Sequence, residues 1–168
     1  GAPMKKLICF GPVADTDCRI LILGSMPGVT SLAIQQYYGH PQNQFWPMMF
    51  DLLGEISTDD YDEKKAMMLR HHIALWDVVY SCTRQGSLDT RIKDPRPNDF
   101  KWLYATYPAI GEVYLNGGKA TELYKRLVRK RGIGKDVPYT RLPSTSPAYT
   151  IPYAEKRKAW EAILNNQI

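Results

Sequence analysis

The 168-residue chain has little cysteine: Cys9, Cys18 and Cys82 are its only three. An odd count without metal-type spacing argues against a disulfide framework and offers no zinc or iron–sulfur ligand set. No metal and no cofactor is therefore expected. Long hydrophobic runs are missing as well. No apolar stretch approaches the ~20 residues that cross a bilayer, and no secretory leader is visible, so the expectation is a cytoplasmic protein with no membrane partner. Nucleotide signatures are incomplete. There is no G-x-G-x-x-G, and Asn116-Gly117-Gly118-Lys119 falls short of a P-loop, which would need Gly at 113 and Ser or Thr at 120, where Val113 and Ala120 stand. No repeat, low-complexity segment or linker divides the chain. The expected organisation is one domain over residues 4–168, with Gly1-Ala2-Pro3 before Met4 reading as a cloning remnant.

What is present is ordinary for a soluble globular protein: 44% hydrophobic and 23% charged residues. Lys and Arg number 22 against 17 Asp and Glu, a net +5. Such a balance permits a polyanionic partner without demanding one. The surplus is concentrated. Between Lys119 and Lys135 stand seven basic residues and one acid, Glu122. A solvated helix face and a phosphate-facing patch are both open readings.

Short apolar runs mark four strands, at residues 19–23, 73–78, 112–115 and about 137–142, of the kind found in a sheet covered on both faces. Helical periodicity separates them. Residues 45–53 are apolar nearly all round and should be deeply buried. Ser57-Thr58-Asp59-Asp60 offers caps for a helix to about His71. Asn98 is the expected cap of a helix with Phe100, Leu103, Tyr104 and Tyr107 on one stripe, ended by Pro108. Ala120, Leu123, Tyr124, Leu127 and Val128 form another stripe, and Tyr153, Trp160, Ile163 and Leu164 a last one. This alternation predicts an α/β fold: a three-layer α/β/α sandwich with a central four-stranded parallel sheet. The connection from Gly24 to Gln44 shows no strong periodicity, and long loops in compact domains tend to be functional or disordered.

Four motif-like stretches each follow a strand. Because ligands bind outside the carboxyl ends of the strands in open α/β sheets, the four should meet at one cleft. Gly24-Ser25-Met26-Pro27-Gly28 is a turn through which backbone can approach a ligand. His40-Pro41-Gln42-Asn43-Gln44-Phe45-Trp46 sets amides beside rings, which suits a flat, hydrogen-bonding ligand such as a nucleobase. There, Trp46 is expected in the core and Phe45 at the ligand, with His40 orienting. Asp77 ends the second strand and could orient water or cap a turn. Asn116 would sit at the rim, its amide available to a base edge. Gly117-Gly118-Lys119 then opens a helix whose N-terminal amides suit an anion. Ser144-Thr145-Ser146-Pro147 places small hydroxyls in a rigid loop suited to phosphates.

Taken together, these stretches resemble the uracil-DNA glycosylase superfamily from about Leu21 to Tyr149. They look most like its DNA-deoxyinosine (hypoxanthine) branch and are similar to the mismatch-specific uracil/thymine branch. Their order at successive strand ends is more specific than any one motif. In the mismatch-specific branch the first motif reads Gly-Ile-Asn-Pro-Gly, and its Asn positions the attacking water; here Met26 stands in that place. The downstream Pro-x-Asn-x-Phe-Trp is matched by Pro41 to Trp46. The resemblance implies that Phe45 stacks on the extruded base and that Asn43 holds the water or the departing base. It also implies that Asn116 reads the base and that Ser144 to Pro147, with Lys119, contact the DNA backbone. The implied activity is monofunctional excision of a deaminated base, hypoxanthine first and uracil second, from double- or single-stranded DNA by a monomer. No Lys is placed for Schiff-base chemistry, so hydrolysis without strand cleavage is expected. The competing readings are an inactive nucleic-acid-binding module of the same fold and a small-nucleotide or nucleoside hydrolase.

Overall fold

The computed structural model describes residues 5–166; the remnant assigned to residues 1–3 lies outside them. Four strands form a parallel sheet: β2 (Ile20–Gly24), β3 (Ile73–Asp77), β6 (Glu112–Asn116) and β7 (Tyr139–Leu142), in the spatial order β3-β2-β6-β7. Every residue of β2 and β3 is buried. Burial of both side-chain sets of a strand requires cover on both faces, which is why these strands read as continuous apolar runs. The helices α3 (Tyr61–Arg70), α5 (Gly118–Tyr124) and α6 (Tyr153–Trp160) pack on β3, on β6 and β7, and on β7 respectively. The mixed α/β fold with a four-stranded parallel sheet is thus the one expected, with boundaries shifted by a residue or two. Among the described residues no helix is long and apolar enough to cross a membrane.

Helix α2 (Phe45–Leu53) is buried at six of its nine positions, as its composition predicts. The stripe Ala120, Leu123, Tyr124, Leu127 and Val128 is wholly buried, although the helix widens into a π turn over Lys125–Arg129. In α3 the Asp60 carboxylate caps Asp62 and Glu63 N–H groups. For α4 (Phe100–Thr106) the cap is Asp99, not Asn98: Asp99 accepts from Trp102 N–H, while Asn98 Nδ2 donates to the Asp77 carbonyl at 2.7 Å. Asn98 therefore ties down the end of β3.

Two elements depart from the sequence reading. A second, antiparallel sheet of order β1-β4-β5 joins β1 (Lys6–Ile8), β4 (Val79–Thr83) and β5 (Lys93–Pro97). Strand β4 follows β3 after Val78 alone, whose N–H is claimed by the Gly24 carbonyl, so one run of sequence enters two sheets. Strand β5 carries Pro95 and Pro97, residues confined to sheet edges because they donate no ladder bond. Such a sequence gives no strand signal. The other departure is a short helix, α1 (Val29–Ile34), inside the Gly24–Gln44 connection, ended by Gln35 at φ 56°.

Candidate active site

Strand register assembles the site. Gly24 lies opposite Asp77, Leu23 opposite Leu115, and Asn116 opposite Leu142, so the carboxyl ends of all four parallel strands share one edge. Over that edge opens a cleft of about 490 Å³, within the range of small-molecule sites. Gly24 to Gly28, His40, Asn43, Asp77, Asn116 and Ser144 to Pro147 all line it; Phe45 and Lys119 do not.

Asn43 projects from the loop entering α2. Its Oδ1 accepts the Phe45 N–H at 2.9 Å, and its own N–H bonds the His40 carbonyl at 3.0 Å. A backbone N–H demands an acceptor, so the amide orientation is fixed and Asn43 presents its NH2 group to the cleft. His40 is exposed, and its Nδ1 accepts the Gln42 N–H at 3.1 Å. In the neutral ring this leaves Nε2–H as the donor.

Phe45 differs from expectation. It is fully buried, stacked on Tyr38 at 3.9 Å between ring centroids and edge-on to Trp46 and Trp160. Of the two stacked rings it is Tyr38 that lines the cleft, beside Tyr37 and Tyr149, and sequence reasoning passed over it because the loop holding it lacks periodicity. Tyr38 takes a left-handed backbone conformation at φ 55°, unusual for a bulky residue. Its hydroxyl is buried without a hydrogen-bond partner. Burial first, then the charge of Asp77, raises its pKa well above the usual phenol value, so it stays neutral and able to donate.

Asp77 forms the floor, 3% exposed. A Cβ on Gly24 would stand 2.5 Å from Asp77 Oδ1, so only glycine fits beneath this carboxylate. Burial, followed by the Asp89 charge, pushes Asp77 up to about 7, against a Gly24 backbone hydrogen bond and the Arg84 charge. Asp89 is a residue the sequence did not flag. It sits in the 3₁₀ turn Asp89–Arg91 and accepts from Ser25 Oγ at 2.6 Å. Its pKa is also raised, chiefly by burial. Its loop is fastened to the first motif at two further points: Arg84 donates to the Gly86 and Pro27 carbonyls, both at 2.7 Å, and Ser87 Oγ accepts the Val29 N–H at 2.8 Å. Met26, 6% exposed, completes this wall with an apolar thioether.

Asn116 lines the cleft and also braces the second motif loop. Its Nδ2 donates to Thr145 Oγ1 and its Oδ1 accepts the Thr145 N–H, both at 3.0 Å. It staples the second motif loop to β6, and Thr145, fully buried, is unavailable to phosphate. Gly117, at φ 97°, passes so near Ser144 that a Cβ would meet it at 3.0 Å. Ser144 and Ser146 hydroxyls accept the N–H groups of Ser146 and Ala148, bracing the loop internally. Beneath it lies Lys156, 1% exposed, donating to the Ser146 carbonyl at 3.3 Å. Tyr149, 42% exposed, lies above that ammonium. Replacing Asn116 with Ala removes two buried hydrogen bonds and should cost about 1–3 kcal/mol. DNA affinity should fall along with stability; thermal melts beside a binding titration check this.

The basic segment lies elsewhere. Helix α5 starts at the rim and runs back along β6, so its far end reaches the opposite edge of the sheet. There Arg129 bonds Asp136 and the Val137 carbonyl, and Lys135 reaches the Pro108 and Ile110 carbonyls. Lys119, on the first turn, pairs with Glu122 at 3.1 Å. Apart from Lys119, at the rim, the patch therefore stands away from the cleft. Replacing Lys130 and Arg131 with Ala should leave DNA affinity and its salt dependence unchanged; a slope reduced by about one unit per cation would put the patch on the phosphates.

The strand-end cleft holds an oriented amide, a buried acid and aromatic rings, chemistry that suits a flat heteroaromatic ring. The protein belongs to the uracil DNA glycosylase superfamily, whose family model matches residues 10–167. It is 39% identical over 158 residues to a hypoxanthine DNA glycosylase from Methanosarcina acetivorans, covering 94% of this chain and 97% of that one. A hypoxanthine DNA glycosylase from Methanosarcina barkeri is 40% identical over 124 residues, 73% of this chain and 78% of the relative. A solution NMR structure of a candidate uracil DNA glycosylase from Methanosarcina acetivorans superposes with a TM-score of 0.82 at 35% identity, covering 97% of this chain and 99% of that one.

Proposed function

We propose that the protein is a monofunctional DNA glycosylase that hydrolyses the N-glycosidic bond of deoxyinosine, releasing hypoxanthine, and acts as a cytoplasmic monomer. The observation that carries this reading is the single cleft that gathers Asn43, Asp77, Tyr38 and both motif loops at the strand ends, in a chain about 40% identical to hypoxanthine DNA glycosylases.

A base inside a duplex is out of reach, so the nucleotide must swing into a snug pocket. The second motif loop, braced from within and from below, holds the backbone on either side of it. The extruded base lies on Tyr38, with Phe45 as the rigid support behind. Bond cleavage builds positive charge on the sugar and negative charge on the base. The DNA phosphates offset the first, and preorganised donors in the cleft stabilise the second. Asn43 offers its NH2 to the attacking water or to the departing base. Among the described residues no lysine lines the cleft, in keeping with hydrolysis that leaves the abasic strand intact.

Met26 favours a second reading, because a thioether in the place of the motif-one amide orients no water: a module that binds DNA without cutting it. Excision assays on duplexes bearing hypoxanthine, uracil, xanthine or mispaired thymine separate the two. Release of hypoxanthine supports the first reading, release of uracil alone changes the substrate, and binding with no release supports the second.

A further inference from the structure

The cleft holds two carboxylates, Asp77 and Asp89, and neither forms a salt bridge with any described residue. They serve a substrate that brings its own negative phosphates. Like charges in a desolvated site disfavour joint ionisation, so two carboxylates facing a polyanion favour a proton on one of them. Geometry decides which. Asp89 accepts the Ser25 hydroxyl at 2.6 Å, a bond that favours its charged form. Asp77 accepts no side-chain hydrogen bond from a described residue, only a backbone one at Gly24, and it is the deeper of the two.

We propose that Asp77 carries the proton in the DNA complex and delivers it to N7 of the departing purine, with Asp89 as the residue that keeps Asp77 protonated. This rests on the hypoxanthine reading above. The step balances. The C1′–N9 bond breaks and its electron pair stays on N9. The Asp77 proton forms the N7–H bond, so hypoxanthine leaves neutral. Water adds its oxygen to C1′, and the proton it loses returns to the Asp77 carboxylate. General acids of this kind contribute about 10²–10⁴-fold.

The surroundings of Asp77 fit a held proton. Cys9, Tyr37, Tyr38 and Tyr61 face it from the β1–β2 connection, the loop before α2 and α3; all four are uncharged, their own ionisation pushed up by burial. Among the described residues the charged groups acting on it are Asp89 and Arg84, on one loop. Asp77 is raised first by burial and next by Asp89, and its proton is present below about pH 7 and lost above it. Removing the Asp89 charge must therefore lower the pH at which the proton leaves.

The test is a single-turnover cycle on duplexes containing deoxyinosine or 7-deazadeoxyinosine, with wild type, Asp77→Asn and Asp89→Asn across pH 5.5–9. Asp77→Asn should slow hypoxanthine release about 10²-fold or more, yet leave the 7-deaza substrate at its already reduced rate. The wild-type rate should decline above about pH 7, and this limb should move to lower pH in Asp89→Asn and vanish in Asp77→Asn. Equal loss on both substrates, or a limb unmoved in Asp89→Asn, overturns the proton transfer while leaving the glycosylase reading intact. No hypoxanthine release by wild type overturns both.

Discussion

Asn43→Ala will cut hypoxanthine excision about 10²–10³-fold, the loss typical when one donor at a site of developing charge is removed, with little change in the melting temperature. The expected split follows from the two ends of the amide. Oδ1 holds the Phe45 N–H at the start of α2, so its loss removes one half-exposed hydrogen bond, worth about 1 kcal/mol. The NH2 end faces the cleft and holds no described partner, so its contribution lies in the reaction. Asn43→Asp is the informative companion. It keeps the acceptor for Phe45 but replaces the NH2 donor with a second oxygen, so it should fold like wild type and be as inactive as the alanine variant. Single-turnover rates beside thermal melts check both. An Asn43→Ala enzyme with full activity would remove this residue from the mechanism.

The largest effect on stability is expected at Phe45. It is fully buried between Tyr38, Trp46 and Trp160, where truncation of an aromatic ring leaves a cavity and costs about 3–5 kcal/mol. Phe45→Ala should therefore destabilise the whole fold. Tyr38→Ala should act differently, since Tyr38 is only partly buried and one face of its ring is already exposed to the cleft. It should lose base capture, about 1–3 kcal/mol for one stacked base, and retain more stability than Phe45→Ala. Tyr38→Phe keeps the stack and removes a buried hydroxyl without a partner, so its fold should be at least as stable as wild type. Denaturant unfolding gives the stability order, and trapping of a flipped fluorescent base analogue gives capture. Equal stability loss in Tyr38→Ala and Phe45→Ala would place Tyr38 in the core as well.

The strands of the parallel sheet were legible because burial on both faces writes itself into sequence as continuous apolar runs, and their common edge follows from parallel topology alone. That is why the sequence alone brings the two motif loops, Asn43 and Asp77 to one cleft. What stayed hidden has a physical reason in each case. Strand β5 contains two prolines and borrows its order from β4. Asp89 reaches the cleft only because Arg84, Ser87 and Ser25 fasten its loop across to the first motif, contacts 57 to 64 residues apart in sequence that no local pattern records. Tyr38 and Phe45 are seven positions apart and stacked. Sequence shows that a ring is near the base but not which of the two faces it. Asn116 stands at the rim as expected, and its amide also bonds Thr145, because a buried threonine N–H and hydroxyl both require partners. The basic run from Lys119 to Lys135 shows the converse. Its charge was plain in the sequence, but the helix carries most of it to the edge away from the cleft.

The most direct test of the central claim is incubation of the purified protein in excess over a duplex with a single deoxyinosine, followed by quantitation of free hypoxanthine and of strand breaks before and after alkali. The account predicts stoichiometric hypoxanthine release with breaks appearing only after alkali, and loss of both signals in Asn43→Ala. Strand cleavage without alkali, or intact deoxyinosine after prolonged incubation with DNA demonstrably bound, would contradict it.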